Sequence, residues 1–140
     1  PREREARLPG GRRMTSTLTG TRQEIADAIR ALVTDDVTVW PAVPSNVTAP
    51  GVAVVLDTGA REAGCVWSVR WRVLCVAPGG DNTAAVTALD DLITAVVAAL
   101  TAAMGGAVLT WEPPEQVTAA GVPYLTQTIN AEIPVDVKDV

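Results

Sequence analysis

Histidine and phenylalanine are both missing from the 140 residues. Without imidazole the chain has no Ser-His-Asp or Cys-His mechanism, and it lacks the commonest metal ligand. Cysteine is scarce. Cys65 and Cys75 are the only two, too few for a structural zinc site. If they lie on one strand, ten positions separate them by roughly 33 Å, beyond the reach of a disulfide. They read as two buried free thiols of a cytosolic product. Lys138 is the single lysine and sits near the end of the chain, which argues against Schiff-base chemistry. Neither GxxxxGK[ST] nor GxGxxG occurs, so no phosphate cradle is visible. No uninterrupted apolar run reaches the ~18 residues that a bilayer requires. The most apolar stretch, Leu92 to Met104, contains Thr94 and Thr101 and follows Asp90 and Asp91, so it reads as a buried helix. No signal-peptide pattern opens the chain.

The carboxylates do not assemble into an obvious pair. Asp35-Asp36 reads as a solvated turn. Asp90-Asp91 falls on a helix, where adjacent side chains diverge by about 100°. Glu112 and Glu115 flank a Pro-Pro break. A two-carboxylate hydrolase is therefore disfavoured. Asn46-Val47-Thr48 matches a glycosylation pattern, but nothing else points to secretion.

What remains is a globular composition, 48% apolar and 19% charged, of a length suited to one domain. Charge is unevenly placed. Residues 1–13, PREREARLPGGRR, hold five Arg and two Glu, whereas residues 14–140 hold six basic and fourteen acidic groups. Segment 1–13 lacks periodicity and reads as a basic leader, disordered or foreign to a single domain spanning 14–140. The acidic body is poorly suited to gripping phosphate backbones. It suits a passage along which DNA slides without sticking.

Periodicity places the elements. Thr21-Arg22-Gln23-Glu24 fits a capping box, and Ile25, Ala28, Ile29, Leu32 and Val33 make an apolar stripe, predicting a helix over 21–34. Val37 to Trp40 is a short strand, stopped by the proline loop PAVPSNVTAP at 41–50. Val52 to Asp57 is a second strand, and the polar Thr58 to Gly64 suits a hairpin connection. The clearest strand is Cys65 to Ala77. Cys65, Trp67, Val69, Trp71, Val73 and Cys75 share one face, which assigns the tryptophans to the core. Ser68, Arg70 and Arg72 share the other. Asp81, Asn82 or Thr83 then caps a second helix of about 21 residues, ~32 Å long, closed by Gly105-Gly106. A fourth strand follows over Ala107 to Glu112, then a turn-rich segment, then a last strand from Tyr124 to Val137. Pro134 should put its outer end at an edge. The predicted fold class is α+β: a mostly antiparallel four- to five-stranded sheet with two helices packed on one face.

The order TRQEIADAIRALV, VTVWPAVP, GVAVVLD, CVWSVRWRVLCVAPGG, DNTAAVTALDDLITAVVAAL and VPYLTQTINAEIPVDV resembles the tail-terminator proteins of long-tailed, siphovirus-type bacteriophages. The runs WRVLCVAPGGDNTAAVTALDDL and PYLTQTINAEIPV are similar to versions from actinobacterial phages. The likeness covers most of residues 15–137. It implies a non-enzymatic homohexameric ring without a cofactor, assembled in the host cytoplasm and carried in the virion at the tail-neck junction. The ring would cap the tail tube protein, halt its growth, meet the head-completion or neck protein, and let DNA through its lumen. No membrane is involved. Such a ring needs loops and edges that neighbours complete. The candidates are Pro44, Asn46 and Thr48 in the proline loop, Arg61 and Glu62 in the following turn, and outward-facing Arg70 and Arg72, paired with acids of the next subunit such as Glu132. The rival readings are another head-tail connector and, further off, a small-ligand or hydrolytic α+β domain.

Overall fold

The computed structural model describes residues 18–42, 44, 46–64, 66–79, 82–105 and 107–136. The basic segment 1–13, Cys65, Asp81, Gly106 and Lys138 lie outside the described residues. The elements run α1 (Leu18–Arg30), β1 (Thr38–Trp40), β2 (Gly51–Ala63), β3 (Val66–Pro78), α2 (Thr83–Ala103), β4 (Val108–Trp111), β5 (Glu115–Ala119) and β6 (Val122–Asp136). Across the sheet the order is β1-β2-β3-β6-β4, with β5 pairing further along β6. Every neighbouring pair is antiparallel except β1 with β2.

The alternating strand at the centre organises the core. Val69, Trp71, Val73, Cys75 and Ala77 are all buried, and their cross-strand neighbours on β6, Ile133, Ala131, Ile129 and Leu125, are buried with them. Both helices cover this face. α2 packs on β3 and β6 through Ala85, Leu89, Leu92, Val96 and Leu100, and α1 packs on β2 and α2 through Ile25 and Ile29. Each large aliphatic side chain buried this way contributes ~1.5–3 kcal/mol. Asn82 is the N-cap of α2, its side-chain oxygen accepting from Ala85 N at 2.8 Å. By length and composition α2 is long and apolar enough to cross a membrane. Here the sheet takes its apolar side, while Asp90 and Asp91 are exposed.

Four expectations change. First, α1 begins at Leu18 and ends at Arg30, and Thr21 is buried inside it rather than capping it. The apolar stripe reaches back to Leu18, which packs on the core and draws in an extra turn. At the other end Leu32 is exposed. Second, Thr58 to Ala63 is not a connection but the outer half of β2, paired with β3 as far as Ala63↔Val66. Its residues are exposed on both faces, so no period-two pattern marks them. Third, the segment read as turn-rich contains β5, which pairs with β6 around Ala120-Gly121. Both turn residues have positive φ, 52° and 78°, matching the right-handed twist that tight hairpins favour. The sheet thus has six strands. Fourth, Trp71 is buried but Trp67, on the same face, is 36% exposed, because it lies beyond the helices on the projecting half of the hairpin.

Candidate functional site

The structure separates the loop and strand residues singled out from sequence. Pro44 is half-buried, and Asn46 and Thr48 are exposed, in the loop leading into β2. That loop is held close. A Cβ on Gly51 would lie 2.5 Å from Thr48 O and 2.5 Å from the Trp40 ring, so only glycine fits. Val47 from the same loop borders a hollow of about 210 Å³ on the helix-free face, beside Arg72, Leu74, Val76 and Tyr124. Arg61 and Glu62 lie on the exposed half of β2, where Arg61 Nε donates to Gly64 O at 2.9 Å.

Arg70, Arg72 and Glu132 do come together, on the helix-free face. Glu132 stands directly across from Arg70 in the β3–β6 register, within one chain. Arg72 forms a half-exposed ion pair with Glu112 at 3.8 Å, and Glu112 also accepts from Asn130 Nδ2 at 3.2 Å. These arginines therefore already have acidic neighbours in their own sheet, since β3 and β6 are adjacent.

The hollows offer little chemistry. The one beneath the start of α1, about 320 Å³, is lined by Leu18, Leu56, Asp57, Thr58, Gly59, Trp67 and Val69. Another of about 330 Å³ lies between the end of α1 and α2, with Asp36 and Asp91 among aliphatic residues. No cluster of three His, Cys, Asp or Glu among the described residues is placed to hold a metal ion. Burial pushes the Cys75 thiol up to about 12, which suppresses the thiolate needed for nucleophilic or redox work. On the core side Arg22 lies over the Trp71 ring, 5.5 Å from its centre, a stabilising cation–π arrangement.

What stands out is unpartnered sheet. Among the described residues, β1 covers β2 only at Gly51–Ala53, and the rest of β2 is a free edge. On the opposite side β4 and β5 are both outer strands. Large apolar side chains are exposed near both: Leu56 on β2, with Val66 and Trp67 on the adjoining β3, at the first, and Val108, Trp111 and Val117 on β4 and β5, with Val122 on β6, at the second. Trp111 is 57% exposed, far more than an isolated domain usually tolerates in a tryptophan. Sequence reasoning put Trp67 in the core and gave the others no interface role, although the Pro113-Pro114 break was a signal that the preceding strand runs along an edge. The chain matches no family model, and no curated protein matches it.

Proposed function

We propose that this chain is a structural subunit that closes into a homohexameric ring and caps the tail tube of a long-tailed bacteriophage. The ring stops tube polymerisation, offers its far side to the head-completion proteins at the neck and leaves a lumen for DNA. It is built in the host cytoplasm, acts at the tail-neck junction of the virion and catalyses no reaction.

The observation that carries this reading is the pair of edges left open, among the described residues, at opposite sides of one sheet, with Leu56 exposed on β2 and Val108 and Trp111 exposed on β4. Two different surfaces that complement one another generate a ring or a filament. The four residues of β4, Val-Leu-Thr-Trp, carry none of the proline or lysine that shields such an edge in a monomer. The order of elements that underlies the resemblance to tail terminators points the same way. The acidic body, fourteen acids against six bases over residues 14–140, favours a lumen that DNA traverses without adhering.

Electron microscopy of tail tubes mixed with the purified protein tests the proposal. The expected result is a ring at one end of each tube and tubes that no longer elongate. Binding to neck proteins with no affinity for tube ends would replace this reading with that of a different connector, and a monomer inert to both would refute it.

A further inference from the structure

Cross-strand registers give each position in the sheet a height. Val55, Arg72, Asn130 and Thr110 share one level, Leu56, Trp71, Ala131 and Leu109 the next, and Thr58, Arg70, Glu132 and Val108 another. β4 therefore stands at the height of the free stretch of β2, on the other side of the sheet. β5 stands lower, where Glu115, Thr126, Val76 and Gly51 align, and this is the height at which β1 covers β2. Strand directions alternate from β2 through β3 and β6 to β4, so β2 and β4 are antiparallel. A second copy added beside the first, helices on the same face, would meet β4 with its own β2 in the antiparallel sense.

We infer that the β4 edge of one copy joins the free edge of β2 in the next, so that neighbouring copies in the ring share one continuous antiparallel sheet. This rests on the ring reading above. Side chains agree with it. Leu109 and Trp111 are level with Leu56 and Val54, and all four lie on the helix-bearing face. Trp111 of one copy packs beside Leu56 of the next, at the rim of the hollow lined by Leu18, Gly59, Trp67 and Val69. The β4 sequence Val-Leu-Thr-Trp has no charge to repel a partner strand. Residues 107–119 hold Glu112 and Glu115 and no Lys or Arg. Backbone hydrogen bonds fix the strand and the tryptophan fixes the register, as in strand addition generally.

Disulfide trapping tests the joint. Val55 and Thr110 share a level and face away from the helices. In a Cys65→Ser background, with Cys75 buried, the double variant Val55→Cys/Thr110→Cys should oxidise to a ladder of covalent oligomers. An equimolar mixture of the two single variants should give dimers, and neither single variant alone should cross-link. Trp111→Glu, at an exposed site, should keep the native circular-dichroism spectrum and weaken self-association at least tenfold by sedimentation. Cross-linking of either single variant with itself would show a two-fold edge contact and overturn the inference. So would an unaltered oligomer in Trp111→Glu with no Val55–Thr110 bridge, though it would leave the ring standing. A parent protein that stays monomeric at millimolar concentration and on tube ends would remove the ring as well.

Discussion

Trp71→Ala examines the core on which both edges depend. Trp71 has no exposed surface, and burying a tryptophan removes ~200 Å² from water. At ~25 cal/mol per Å² that is about 5 kcal/mol, an upper bound because the unfolded chain already hides part of it. Loss of the Arg22 guanidinium over the ring adds about 0.5–1 kcal/mol. The indole N–H has no hydrogen-bond partner, so its removal strands no acceptor. The expected destabilisation is about 4 kcal/mol, in line with large-to-small changes in other cores and a large share of a domain's ~5–15 kcal/mol. Urea unfolding followed by far-UV circular dichroism measures it, and a midpoint that falls at constant slope identifies lost stability. Trp67→Ala is the control. Its side chain projects beyond the helices, and the expected cost is about 1–2 kcal/mol. Equal costs for the two variants would refute the assignment of Trp71, rather than Trp67, to the helix-covered core.

Gly51→Ala forces a methyl against Thr48 O and the Trp40 ring, and should cost about 1–3 kcal/mol by the same unfolding assay. Glu112→Gln breaks the half-exposed pair with Arg72 while its amide oxygen can still accept from Asn130 Nδ2, and should cost under ~1 kcal/mol. Cys75 gives a pH signature. Its folded value of about 12 lies above the ordinary thiol value of 9.0, so the unfolded chain loses that proton first. The thiol's contribution is complete below pH 9 and declines by about 1.4 kcal/mol per unit as pH rises toward 12. Cys75→Ala should remove this alkaline decline, as seen by comparing urea midpoints at several pH values. In a Cys65→Ser background, a thiol reagent should label Cys75 only on unfolding.

Much of the fold was legible because burial leaves a pattern. β3 alternates with period two since one of its faces meets the helices, and α2 announces itself through an apolar side and the Asn82 cap. The outer half of β2 and all of β5 were not legible. Both are exposed on each face, so they are strands by hydrogen bonding alone, and neither Thr58–Ala63 nor Glu115–Ala119 has an alternation to read. Thr21 misled for a related reason. A threonine followed by glutamate three residues on looks like a cap whether or not the stripe continues upstream to Leu18. Exposed polar residues such as Asn46, Arg61 and Glu62 drew notice as interface candidates. The more informative residue, Trp111, carried no such mark in sequence and is identified as a surface residue only by its place on the outermost strand.

Native mass spectrometry of the purified protein across a concentration series, alone and with tail tube fragments, addresses the ring directly. The account predicts a single closed species of six copies that becomes dominant in the presence of tube ends, with no larger members. A protein that remains one copy under every condition, or that grows without limit into filaments, contradicts it.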